Sequence, residues 1–297
     1  QKANAMCSLA ARSLGIDVND VLVASTGVIG PSIDLKPIED AMLGLTAALS
    51  ADGGTDAAQA IMTTDTVPKQ YAVQFEIGGK TCTVGGMAKG SGMIAPNMAT
   101  MLAFVTTDVA IEVSLLKQAI KSVADSTFNM LSVDGDTSTN DTLLILANGM
   151  ADCAITKADD GYDVFVKALT MLCTKLCIAL AADGEGATKL VECRVSGGAS
   201  LSDARLVAKA VVNSALVKSA MFGADANWGR VLCAIGYSGA SVDVNGVRVA
   251  FCSDAGKITV CENGAGIQFC EQTAKKVLGE KEIVIDITLS DGNASAT

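Results

Sequence analysis

Apolar residues return at helical spacing over Lys2–Leu14, where Gly15 closes the segment, and again over Val113–Phe128 and Asp163–Ala182. Pro37 opens a further helix through Leu49, Thr55 caps a short one through Ala60, Ser202 caps one reaching Met221, and Phe269–Leu278 forms the last. Between them lie runs that read as strands: Val21–Ala24, Met101–Thr107, Thr142–Ala147, Lys189–Val195 and Glu282–Leu289. Two pairs read as hairpins. Tyr71–Ile77 returns as Lys80–Val84 through Gly78-Gly79, and Ser241–Val244 returns as Val247–Cys252 through Asn245-Gly246. The segment Asp163–Ala182 is apolar almost all round, which predicts a buried core helix. No linker, repeat or low-complexity tract interrupts this alternation. It predicts an α/β protein of mixed sheets packed with helices.

Three polar, glycine-bearing stretches interrupt the apolar pattern. Ser25–Pro31 follows a short apolar run and exposes backbone N–H groups suited to an anion or oxyanion, although an ordinary strand-to-helix turn has the same look. Asp134–Asp141 resembles the start of a calcium loop but lacks the Gly and closing Glu of that pattern, so it reads as a loop supporting a nearby site. Asp183–Thr188 places Glu185 between two glycines, facing either a cleft or solvent.

The segment Lys89–Thr107 carries the candidate chemistry. Its first half is loop and its second half a buried strand, with Ala99 and Thr100 at the junction. The chain has no histidine, so a Ser-His-Asp or Cys-His arrangement within it is excluded. A hydroxyl nucleophile then needs another base. A threonine can use its own freed α-amino group, whose pKa lies near neutrality. Thr100 is internal, so this chemistry demands self-cleavage of the Ala99–Thr100 bond. The alternative is that Thr100 merely opens a strand, as β-branched residues do.

Composition narrows the partners. A net charge of −10 opposes nucleic acid, which needs clustered Lys and Arg, and also an anionic membrane surface. The ten cysteines form no Cys-x-x-Cys and no zinc or disulfide framework, so the chain reads as cytoplasmic. The longest unbroken apolar stretch, Leu176–Ala182, is too short to cross a bilayer. The chain begins inside a helical pattern and stops without terminal punctuation, as a fragment lacking both ends would.

Six motifs in order resemble one family. They are Ser-Thr-Gly-Val-Ile-Gly at 25–30, Ala-Ile-Met-Thr-Thr-Asp-Thr at 60–66, Lys-Gly-Ser-Gly-Met-Ile-Ala-Pro-Asn-Met-Ala-Thr-Met-Leu-Ala-Phe at 89–104, Asp-Gly-Asp-Thr-Ser-Thr-Asn-Asp at 134–141, Gly-Glu-Gly-Ala-Thr-Lys at 184–189 and Gly-Ala-Asp-Ala-Asn-Trp-Gly-Arg at 223–230. Together they resemble the bifunctional ornithine acetyltransferase / N-acetylglutamate synthase family of arginine biosynthesis.

The resemblance implies a self-cleaving enzyme with an N-terminal threonine nucleophile. Thr100 matches the nucleophile, exposed by a cut after Ala99; Thr26 and Gly27 match the oxyanion pair; Thr63, Lys89, Thr100 and Glu185 match substrate contacts. Residues 1–99 would be the C-terminal part of an α chain and 100–297 a β chain, assembled as a heterotetramer. Two further family contacts, an Asn and a Thr or Ser, lie beyond Thr297 in full-length members. The implied reaction moves acetyl from N-acetylornithine to glutamate through an acetyl-threonine. It uses no metal or tightly bound cofactor, and it leaves open acetyl-CoA as a second donor. Two rivals stay open: a threonine-nucleophile amidase or aminopeptidase that passes the acyl group to water, and an uncleaved, non-catalytic homologue.

Overall fold

The computed structural model describes residues 1–95 and 101–297. It has the mixed α/β architecture that the pattern predicts. Helix α1 (Lys2–Leu14) packs on α2 (Lys36–Ala47), and α3 (Gly54–Ala60) leads into strands β1 (Lys69–Ile77) and β2 (Lys80–Lys89). Then come β3 (Leu102–Thr107), the short β4 (Ala110–Ile111), α4 (Val113–Ser126), β5 (Thr142–Ala147), the short β6 (Ala154–Ile155) and the long α5 (Asp160–Ala182). The remainder runs β7 (Leu190–Gly198), α6 (Leu201–Asn213), α7 (Ala215–Phe222), α8 (Trp228–Gly236), β8 (Arg248–Ser253), β9 (Gly256–Glu262), β10 (Ala265–Gly266), α9 (Glu271–Gly279), β11 (Glu282–Thr288) and β12 (Ala294–Ala296).

Two sheets carry the fold. One is ordered β1-β2-β3-β5, with β2 antiparallel to β1 and β3, and β3 parallel to β5. The other is ordered β10-β9-β8-β11-β7-β12. Helix α5 packs against β1 and β2, and its Phe165, Leu169, Leu172, Leu176 and Leu180 meet Val84, Ala103 and Val105 in one core. A second core joins Val195, Val207, Phe251, Val260, Val277 and Ile285 between the six-stranded sheet and α6–α9. Helix α5 is long and apolar enough to cross a membrane by length and composition, beyond what its longest unbroken apolar run suggests. Its buried leucines instead serve a sheet, as core helices do.

The chain departs from the predicted elements in several places. Thr55 does not cap α3, which starts at Gly54 behind Gly53 with no side-chain cap. Val21–Ala24 is irregular and pairs with no described strand. The hairpin β1–β2 continues past Val84 to Lys89, so Lys89 ends a strand rather than opening a loop. The helix predicted to run to Met221 breaks at Ser214, whose hydroxyl takes the Val217 N–H and restarts it as α7; α6 itself is capped by Ser200 rather than Ser202. Asn245-Gly246 does not join two strands. Asp243 takes the Asn245 N–H and closes a 3-10 turn there, and β8 reverses into β9 at Asp254-Ala255 instead.

Candidate functional site

Three loops meet at the end of β2, and a charge network ties them. The Lys69 ammonium is fully buried, 2.7 Å from Asp65 Oδ1 and 2.6 Å from Asp183 Oδ2. Asp65 also accepts the Gly90 N–H (2.7 Å) and the Thr63 N–H (3.2 Å), and it lies 3.7 Å from the Lys89 ammonium. Burial raises the Asp65 pKa, but the Gly90 N–H, Lys69 and the Thr63 N–H outweigh it and leave the carboxyl below its ordinary value. Gly90 makes its bond at φ +144°, a region closed to side-chain-bearing residues. Asp183 stands at the C-terminus of α5, where the helix dipole disfavours an anion. Lys69 and the Thr66 N–H and hydroxyl compensate it, and its pKa too is lowered against burial.

This network presents two of the residues that the family resemblance implicates. Lys89 is buried, with 4% of its side chain exposed, and donates to the Thr63 hydroxyl at 2.8 Å. A surface role for Lys89 is therefore excluded. An ammonium has three N–H donors. Thr63 takes one and Asp65 faces a second, which leaves one donor for a ligand carboxylate. Glu185 joins the same corner through its backbone: its N–H donates to Ser91 O at 2.8 Å, while the Ser91 hydroxyl bonds that of Thr64 at 2.6 Å.

Thr26 and Gly27 lie across the same loop. They line a cavity of about 820 Å³ with Met93 and Thr137–Asn140, and the Asn140 amide donates to Ser25 O at 2.8 Å. Met93 of the 89–95 segment thus lines the cavity that holds the oxyanion candidates, while Lys89, Ser91 and Gly92 of the same segment reach Thr63, Thr64 and Glu185. Thr100 and Ala99 lie outside the described residues.

The Asp134–Asp141 run does support this site. Asp134 accepts the N–H groups of Met93 and Ile94, and Thr137 donates to Ala95 O at 2.9 Å. Asp141 accepts the N–H of Met101, the residue after Thr100. One loop thus holds the chain on both sides of the 96–100 segment. The sequence did not single out Asp65, Lys69, Ser91, Asp141 or Asp183 individually. For Asp65, the Thr-Thr-Asp-Thr motif was the available signal.

Burial pushes the Asp141 carboxyl up to about 7, against the pull of the Met101 N–H, and its second oxygen is buried with no partner among the described residues. A folded pKa above the ordinary 3.8 means stability that is fully present below about pH 4 and is lost as pH rises through about 7. Asp141→Asn keeps an acceptor for Met101 and never ionises. It is expected to raise the melting temperature near pH 8, with the gain vanishing toward pH 4. A gain independent of pH across that range would refute the assignment.

Comparison with known proteins bears on the whole chain. The model of the ArgJ family matches residues 1–297. A protein of Caldanaerobacter subterraneus subsp. tengcongensis named arginine biosynthesis bifunctional protein ArgJ is 50% identical, over 100% of this chain and 74% of its own length. A Staphylococcus aureus protein of the same name is 48% identical, over 97% of this chain and 68% of its own. The crystal structure of arginine biosynthesis bifunctional protein argJ from Bacillus halodurans superposes with a TM-score of 0.63 at 42% identity, covering 66% of this chain and 92% of that one.

Proposed function

The chain belongs to the ArgJ family, and on that premise we propose that it carries acetyl from N2-acetyl-L-ornithine to L-glutamate, yielding L-ornithine and N-acetyl-L-glutamate for arginine biosynthesis. The Thr100 hydroxyl attacks the acetyl carbonyl while the α-amino group of Thr100, freed by cleavage after Ala99, takes the hydroxyl proton. The tetrahedral oxyanion is met by donors at Thr26 and Gly27, each such donor being worth roughly a hundred- to a thousandfold in rate. The intermediate collapses, the C–N bond breaks, and ornithine leaves with the proton. An acetyl ester remains on Thr100. The glutamate amine attacks this ester and its proton passes to the threonine amine. The C–O bond to Thr100 then breaks, the amine returns the proton to the threonine oxygen, and N-acetylglutamate departs, giving ping-pong kinetics.

Lys89 and Thr63 hold the α-carboxylate common to both substrates, and Glu185 faces a substrate ammonium. The reaction needs small molecules only. Acetyl-CoA serves as an alternative donor to glutamate, and the cut chains remain together as α and β parts of a cytoplasmic heterotetramer. Neither a hydrolytic nor a non-catalytic reading is favoured, because the matched relatives carry the name of a bifunctional biosynthetic protein.

The observation that supports this site most directly is the buried Lys89 ammonium, bonded to Thr63 and retaining a donor for a ligand. Lys89→Met keeps the stem and removes the charge. In fully processed enzyme it is expected to raise KM for both N-acetylornithine and glutamate by about tenfold, the scale of one charge-assisted hydrogen bond. Unchanged KM values in a steady-state acetyl-transfer assay would remove Lys89 from the carboxylate site.

A further inference from the structure

The Glu185 carboxylate lies on a residue without a side chain. A Cβ at Gly92 would stand 2.8 Å from Glu185 Cδ and Oε2, and 2.9 Å from Oε1. Those three carboxylate atoms are its nearest neighbours, and no backbone atom is among them. Gly92 does not hold a positive φ, so its backbone accepts a side chain without strain. The missing Cβ thus makes room for the head group of Glu185 rather than for the turn. The backbone of Glu185 is fixed independently through Ser91 O, and Ser91 is 1% exposed.

We propose that Gly92 is a positioning residue: it sets where the Glu185 carboxylate stands and, through it, the preference of the pocket for a substrate bearing a side-chain ammonium. The inference rests on the acetyl-transfer reading above. N-acetylornithine ends in an ammonium and glutamate in a carboxylate. The Glu185 side chain is exposed and its carboxylate lies against Gly92; in that place it attracts the first and repels the second. Displacing it acts on the two substrates in different directions. A loss of fold or of the shared carboxylate contact would act on both alike.

The test is Gly92→Ala in the full-length protein, with cleavage verified by denaturing mass spectrometry before steady-state kinetics. The expected result is a KM for N-acetylornithine raised about tenfold, with a KM for glutamate unchanged or lowered. Introduced into Glu185→Ala, the same substitution should add nothing, because both act on one interaction. An equal rise in both KM values, a fall in kcat alone, or an additive effect in the Glu185→Ala background would overturn the proposal. If Gly92→Ala blocks processing, Gly92→Ala/Glu185→Ala relieves the clash: restored cleavage supports the proposal and continued failure overturns it. A Glu185→Ala enzyme with unchanged KM for N-acetylornithine would instead refute the role given to Glu185 itself, an outcome distinct from the others.

Discussion

Thr100→Ala is expected to leave the full-length chain uncut and to reduce acetyl transfer by on the order of 10⁴-fold or more, as removal of a covalent nucleophile does elsewhere. Two facts set this expectation. These 297 residues contain no histidine, so no imidazole among them can serve the Thr100 hydroxyl as a base. An α-amino group titrates at about 7.7–8.0, so a usable fraction is unprotonated at physiological pH. On the proposed mechanism the base exists only after the Ala99–Thr100 bond breaks, so cleavage and catalysis should fail together. Thr100→Ser retains both hydroxyl and amine and is expected to keep part of each activity. Denaturing mass spectrometry reads the cleavage, and release of ornithine reads the transfer. Near wild-type transfer by Thr100→Ala would refute the nucleophile. An intact chain in an active wild-type preparation would refute the base.

The second large effect concerns stability. Lys69→Met is expected to cost about 3–5 kcal/mol, because it leaves two buried carboxylates without their shared cation. On the usual scaling this lowers the melting temperature by roughly 5–15 °C. Asp65 and Asp183 surround the Lys69 ammonium in a fully buried position, so water cannot substitute for it. The acid response gives a second readout. Both carboxyls have folded pKa values below the ordinary 3.8, so their contribution is present above about pH 4 and is lost as pH falls through the lowered values. Without Lys69 those values rise, and acid unfolding should begin at higher pH. A melting temperature within 2 °C of wild type at pH 7 would show that the network is not a source of stability.

The sequence read best where structure is local. Helix α1 and strand β5 begin and end where their apolar pattern does, because period and punctuation agree there. It failed where the outcome depends on distant partners. Val21–Ala24 has a strand's composition but finds no neighbour to pair with. Asn245-Gly246 has a hairpin's turn residues, but the preceding Asp243 captures the Asn245 N–H and the reversal moves to Asp254-Ala255.

The site divides in the same way. Thr63, Lys89 and Glu185 were named through resemblance, and the fold joins the segments that carry them. What fixes them was hidden. Lys69 and Asp183 are 114 residues apart, and nothing local marks either as half of a buried pair. Residue 92 reads as one more flexible glycine until the Glu185 head group is seen beside it.

The ladder between β2 and β3 has a consequence for the two parts of the chain. It pairs Val84 with Thr107 through to Lys89 with Leu102, and so joins the chain before residue 96 to the chain after residue 100. A cut there would separate two polypeptides that still share one sheet and one core, since Cys82, Val84 and Ala88 pack with Ala103, Val105 and the residues of α5. The pair would behave as a split protein. Neither fragment could leave without exposing the interior of the other, so dissociation would coincide with unfolding. Recovery from denaturant would become a bimolecular event whose rate grows with the concentration of the complementary fragment.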